Sequence, residues 1–236
     1  MEKIYETAYA KINLGLDVLG KRSDGYHEVR MVMQSVGLSD AVEIEEGEGL
    51  VVETDHSGLA GGPDNLAWKA AELLARCCGK SPNVHIRLNK KIFLAAGLAG
   101  GSSDAAAVMR GLSRLWQLDL TAPELEKLAA ELGSDIPFCI TGGTALAEGR
   151  GEILTELPEA PELLLVLAKP KLEVATGWVY GNFRQQKVNQ RPDIDGIIKA
   201  LEQSATGLLI ESCGNDLARV TIPENPGIAQ NQQNKL

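Results

Sequence analysis

The segment Gly97–Ala107, GLAGGSSDAAA, is the place where residue types and spacing point most directly to chemistry. Glycines at 97, 100 and 101 let backbone N–H groups come close to an anion. The alanines that follow start a helix, whose first turn offers unpaired donors and partial positive charge. Ser102 and Ser103 add hydroxyls suited to a phosphate oxygen or a magnesium ion. The chemistry indicated is phosphate binding; the alternative is a strand-to-helix turn that uses glycine for tight packing. The loop is not a P-loop, because no lysine follows its last glycine, and it lacks the G-x-G-x-x-G spacing of a dinucleotide site.

Three other places carry reactive groups. Asp135 lies in LGSDIPF, Lys11 in AYAKINLG, and Tyr26-His27 follows the turn dipeptide Asp24-Gly25. Read on residues alone, Asp135 is a helix-end or turn aspartate. Lys11 is a strand lysine whose stem snorkels to the surface, and Tyr26 anchors a hairpin. The aromatic pair still stands out, because aromatic residues make up only 4% of the 236-residue chain.

These groups must be positioned by elements that the pattern suggests. Strands are expected at Tyr5–Val18, Val29–Val36, Ala41–Ile44, Leu50–Glu53 and Val84–Asn89. Helices are expected from Asn65 to Cys78 with Gly79 as the stop, from the glycine loop to about Trp116, and from Thr121, where T-x-x-E is a capping-box signature. Asp135-Ile136-Pro137 breaks the pattern, and two short strands follow around 143–147 and 152–157. LPEAPE, Leu157–Glu162, reads as a linker, and Leu163–Ala168 as a buried strand. Further helices are expected from Ala175, over Asp193–Gln203 and from Asn215, with a polar tail over Ile228–Leu236. The fold class is α+β in two domains, 1–157 and 158–236.

Composition narrows the function. A net charge of −9 argues against nucleic acid and anionic membranes as partners. No segment has the ~20 apolar residues of a membrane span, and the N-terminal residues lack an apolar signal core. Cys77, Cys78, Cys139 and Cys213 form no CxxC pair, and the three histidines are scattered, so no protein metal site is expected and reduced, cytoplasmic thiols are.

The glycine loop resembles the ATP loop of the GHMP kinases, named for galactokinase, homoserine, mevalonate and phosphomevalonate kinases. AYAKINLGL, RSDGYHEV, LGSDIPF and AEGRGE, in this order, narrow the resemblance to members that phosphorylate a cytidine diphosphate sugar alcohol in the non-mevalonate isoprenoid pathway. The resemblance implies ATP and Mg2+ as cofactors, a small-molecule substrate, and a monomer or homodimer. It makes Asp135 the catalytic base and Lys11 its partner, polarising the substrate hydroxyl. It assigns ATP to Phe93, Leu94, Ala95, Ala96, Gly97, Leu98, Ala99, Gly100, Gly101, Ser102 and Ser103, with Asp104 capping the helix, Asn65 near the base and a loop serine toward magnesium. Lys90 and Lys91, just upstream, read as solvated surface charge. Phe93 departs from the pattern, since the family places a ring-locked proline there.

For the substrate, the resemblance implies Asn13, Tyr26 stacking on cytosine, His27 bonding the base edge, Thr176, and Tyr180 covering the second face. The substrate is then expected in a cleft to which both domains contribute. The family also carries a Gly/Ser-rich turn near its C-terminus, for which no counterpart follows Gly214. A second domain lacking its last strands and a helix is therefore expected, with reduced stability. Two rival readings stay open: a sibling GHMP kinase with another substrate, and a remnant that binds without turnover.

Overall fold

The computed structural model describes residues 3–170, 172, 174–183, 191–225 and 227–228. The fold is α+β, with a mixed sheet and helices. By compactness the chain divides differently from the 1–157/158–236 division. One unit is Met1–Lys11, Ser35–Leu94 and Leu98–Gly142; the other is Ile12–Gln34, Ala95–Gly97 and Gly143–Leu236. Two long strands, β1 (Lys3–Lys21) and β2 (His27–Glu46), contribute residues to both units. β2 runs unbroken where Gly37 and Asp40 suggest two strands, because pairing with neighbouring strands overrides a local turn signal.

In the first unit the strand order is β3 (Leu50–Thr54), β4 (Val84–Asn89), β2, β1. Ala41–Glu46 of β2 runs antiparallel to β4, and β3 runs parallel to β4. Val42, Ile44, Val52, Val84, Ile86 and Leu88 turn one face of this sheet into the core. Lys3, Glu43, Glu45 and Arg87 carry ion pairs on the other, solvent-side positions. The core is aliphatic, as the scarcity of aromatic residues requires.

Four helices complete this core. α1 (Leu66–Cys78) starts where the Asn65 side chain accepts the Ala67 N–H at 2.9 Å, and ends at Gly79 with φ 62°. α2 (Gly100–Leu115) follows the glycine loop and buries Ala105, Ala106 and Ala107 completely. α3 (Ala122–Ala129) has the expected capping box: the Glu124 carboxylate accepts the Thr121 N–H at 2.8 Å. α4 (Ile136–Thr141) forms where a break is expected. Pro137 lies in its first turn, where the missing N–H costs no hydrogen bond.

In the second unit, Thr144–Ala147 of β5 (Thr144–Glu148) pairs antiparallel with Gln34–Met31, and β6 (Ile153–Glu156) pairs with β5. β7 (Gly214–Asn215) pairs parallel with β1 at Gly15 and Leu16. Asp216, fully buried, accepts the Val18 N–H at 3.2 Å and locks this register. α6 (Ile194–Glu202) and α7 (Thr206–Ser212) supply Ile194, Ile197, Leu201 and Leu209 to a core with Leu14, Val32 and Leu146. α5 (Thr176–Asn182) and α8 (Ala218–Glu224) are the remaining helices among the described residues.

Leu163–Ala168 is not a buried strand. Residues 157–170 have no regular secondary structure, and Leu164 and Val166 are 98% and 74% exposed. An apolar run becomes a strand only beside a partner, and among the described residues none pairs with it. Of the expected tail, all but Ile228 lies outside the described residues.

One glycine is fixed by close approach. A Cβ on Gly61 would lie 1.9 Å from the Val52 carbonyl oxygen, so the loop before α1 crosses β3 with no room for a side chain. Gly61→Ala should cost about 1–3 kcal/mol, lowering Tm by several degrees in a thermal melt.

Candidate active site

Lys11 and Asp135 meet. The Lys11 ammonium lies 3.5 Å from Asp135 Oδ2, and Lys11 is only 4% exposed. The lysine therefore does not snorkel to solvent. β1 places it next to Ala8 and Ala10, whose small side chains are buried in the core. Asp135 stands at the N-cap of α4, half-buried, and α4 is anchored by buried Ile136 and Phe138. The Arg110 guanidinium of α2 strengthens this placement. It donates to the carbonyls of Cys139 at 2.6 Å and Ile140 at 3.2 Å, and to that of Thr7 in β1 at 2.9 Å. One side chain thus braces the helix that presents Asp135 against the strand that presents Lys11. Asn13 lies two residues beyond Lys11 in β1, partly buried.

The glycine-rich loop joins the same strand. The Lys11 N–H donates to the Leu98 carbonyl at 3.1 Å, and the buried Ser103 hydroxyl donates to the Tyr9 carbonyl at 2.6 Å. Ser103 is thus engaged by the fold, whereas Ser102 is partly exposed. Ala95, Gly97 and Ala99 have φ of 50°, 72° and 57°, and Ala99 at the α2 N-cap brings no side-chain cap. Phe93 is 46% exposed.

Two expectations are corrected here. Asp104 does not cap α2: it is the helix's fifth residue and 1% exposed. Lys90 is not solvated surface charge. Its side chain is 1% exposed, and its ammonium donates to Asp40 at 2.5 Å and also to Asp104. The sequence signal for this trio was faint, since each member sits in an ordinary-looking turn or helix. Asn65 uses its amide structurally, capping α1 and donating to the Ala60 carbonyl at 2.8 Å.

The predicted base-binding residues lie in the second unit. An Asx turn at Asp24, whose side chain accepts the Tyr26 N–H at 3.0 Å, presents Tyr26 half-exposed. The Arg150 guanidinium sits 4.8 Å above the Tyr26 ring, a contact that the residue order gave no means to foresee. The His27 and Tyr180 rings lie 5.1 Å apart at a tilt of 32°, so Tyr180 faces His27. Thr176 is exposed at the start of α5. Burial, and then the charge of Lys21, holds His27 below the ordinary imidazole range, so the ring is neutral near pH 7 and presents one donor and one acceptor.

A glycine-rich loop entering a helix beside a paired lysine and aspartate fits the site expected of a small-molecule kinase, and residues 65–143 match the GHMP kinases N terminal domain. The chain is 46% identical to a 4-diphosphocytidyl-2-C-methyl-D-erythritol kinase of Acetivibrio thermocellus, over 100% of this chain and 83% of the relative. It is also 46% identical to the enzyme of that name from Geobacillus kaustophilus, over 94% of this chain and 77% of the relative. A crystal structure of 4-(cytidine 5'-diphospho)-2C-methyl-D-erythritol kinase superposes with a TM-score of 0.75 at 31% identity, covering 96% of this chain and 80% of that one. Homoserine kinase from Cytophaga hutchinsonii, at 19% identity and a TM-score of 0.68, covering 91% of this chain and 72% of that one, shares the fold. The chain belongs to the 4-diphosphocytidyl-2-C-methyl-D-erythritol kinase family of GHMP kinases.

Burial pushes the Asp104 carboxyl up to about 7; Lys90 opposes the shift and Asp40 adds to it. In the unfolded chain an aspartate titrates near pH 4. Between about pH 4 and 7 the folded protein therefore holds a proton that the unfolded chain has released, so this group's contribution to stability falls as pH rises and levels off above that window. Asp104→Asn cannot titrate. Urea midpoints of both proteins from about pH 5 to 8 should show wild type losing stability relative to the variant as pH rises, and a constant difference would refute the shift.

Proposed function

We propose that this chain transfers the γ-phosphoryl group of ATP to the 2-hydroxyl of 4-diphosphocytidyl-2-C-methyl-D-erythritol, forming ADP and the 2-phosphate. The carrying observation is the pairing of buried Lys11 with Asp135, on a strand that also bonds the glycine-rich loop, in a chain of this family. Phosphoryl transfer needs little covalent chemistry from the protein. It needs an acceptor held in line, a group to take its proton, and stabilisation of charge on the transferred group.

Each requirement has its residues. The Asp135 carboxylate takes the hydroxyl proton. The Lys11 ammonium orients that carboxylate and polarises the hydroxyl. Backbone N–H groups over 93–103 hold the nucleotide phosphates, with the first turn of α2 behind them. Magnesium enters with ATP as part of the substrate. Among the described residues no group of three or more His, Cys, Asp or Glu could hold a metal ion, and magnesium keeps most of its waters when bound through phosphates.

Tyr26 offers a flat face to cytosine, with Arg150 fixing the ring from its other side. Neutral His27 matches the donor and acceptor edge of the base, and Tyr180, Thr176 and Asn13 complete the substrate contacts. In this reading residues 1–157 carry the ATP loop and the catalytic pair, and 158–236 add Thr176 and Tyr180. No described helix is long and apolar enough to cross a membrane. The free cysteines fit a reducing compartment, and the work is assigned to the cytoplasm.

Purified protein given ATP, magnesium and the cytidine substrate should release ADP, and neither homoserine nor mevalonate should replace that substrate. Asp135→Asn should lower kcat by about 10²-fold or more, with the fold retained by circular dichroism. Full activity of this variant would remove Asp135 from the mechanism. Tyr26→Ala should raise KM for the cytidine substrate by roughly 5- to 100-fold, the worth of one base stack, and leave KM for ATP near wild type.

A further inference from the structure

The entry to the glycine-rich loop is bonded more heavily than an ordinary connection. Three successive backbone N–H groups end on carboxylates: Lys90 on Asp55 at 2.9 Å, and Lys91 and Ile92 on Asp40 Oδ1 at 2.5 and 2.8 Å. The other oxygen of Asp40 accepts the Lys90 ammonium, which also donates to Asp104 in α2. All three side chains are at most 1% exposed. A buried ammonium is costly unless paired, and a well-packed apolar residue there is often as stable. Stability alone is thus a poor reason for this trio.

Geometry supplies a better one. Ile92 lies at the loop entry and Gly100 at the start of α2, and a Cβ on Gly100 would approach Ile92 Cγ2 to 3.0 Å. The two ends of the loop are thus in direct contact, and the Lys90–Asp104 bond fastens them. Between them Ala95 and Ala99 hold left-handed φ, a strained conformation for a residue with a Cβ. Such conformations persist only where the surroundings over-determine them. Phe93, half-exposed at the loop entry, brings no ring constraint of its own.

We propose that Lys90 is a positioning residue for the phosphate loop: its buried ammonium, shared by Asp40 and Asp104, ties the loop entry to the first turns of α2 and holds the loop in its nucleotide-binding shape. This rests on the assignment of the loop to ATP.

Two variants test it. Lys90→Met keeps the stem and removes the charge. Asp104→Ala keeps a neutral Lys90–Asp40 pair and a good helix former, and cuts only the tie to α2. In nucleotide-free protein, amides of 93–101 should exchange at least about tenfold faster in both variants, while those of α1 and β3 stay unchanged. Calorimetry with a non-hydrolysable ATP analogue should show Kd raised about tenfold or more, and KM for ATP should rise in parallel while KM for the alcohol substrate stays within about twofold.

Wild-type exchange and affinity in either folded variant would overturn the proposal, and so would faster exchange spread evenly over the first unit. Should Lys90→Met not fold, Asp104→Ala decides, and loss of folding in both assigns the trio to stability and refutes the local role. Exchange and analogue binding need no turnover. A wild-type protein that binds the analogue but does not phosphorylate the cytidine substrate would therefore refute the proposed reaction and leave this test standing.

Discussion

A loop proposed to bind phosphate through its backbone must keep its N–H groups unspent and still hold one shape. Here Ala95, Gly97 and Ala99 turn left-handed within five residues, which the chain would not adopt unaided. The fold therefore grips the loop from its flanks. β1 holds it at Leu98 and Ser103, and Asp40 and Asp55 hold its entry. Behind it α2 is packed among small residues, with Ala105, Ala106 and Ala107 fully buried. A Cβ on Gly111 of that helix would come within 2.5 Å of Ile44 Cδ1, so a larger residue there would have to displace the Ile44 side chain.

The same constraint explains where charge is buried. In an aliphatic core an unpaired ion is costly, and each buried charge of this kind has a partner of opposite sign or a row of N–H donors. Lys11 has Asp135, and Lys90 has Asp40 and Asp104. In the second unit Asp17 accepts Arg191 at 2.6 Å, while burial first, and then neighbouring Asp216, raises its carboxyl above the ordinary range. In the proposed catalytic pair Asp135 keeps about a third of its side chain exposed, at 36%, while Lys11 is buried.

The proposed substrate side uses another device. Tyr26 and His27 stand on an Asx turn, and each ring already has a companion, Arg150 for the first and Tyr180 for the second. An aromatic side chain held by a neighbour loses less freedom when a base stacks on it, which favours binding. Arg150 is held in turn by Glu152, which accepts its backbone N–H at 2.6 Å and its Nε at 3.3 Å. The motif AEGRGE thereby gains a physical role.

Local patterns in the sequence determined most of the elements. Asn65 and Gly79 bound α1, Thr121 and Glu124 start α3, alternation in VHIRLN makes β4, and GLAGGSSDAAA marks a glycine-rich loop entering a helix. Each is written within a few residues, because caps, turns and periodicity are short-range effects. The identity of Lys11 and Asp135 came from motif resemblance, and their separation in the chain kept composition or spacing from pairing them. Tertiary structure alone decided what distant residues do to one another. It buried Lys90 between carboxylates 50 and 14 residues away, merged two expected strands into β2, and left Leu163–Ala168 without a partner strand among the described residues. Whether a lysine is solvated or clamped, and whether an apolar run is a strand or an exposed segment, depends on which neighbour the fold supplies; that is a long-range property no local pattern encodes.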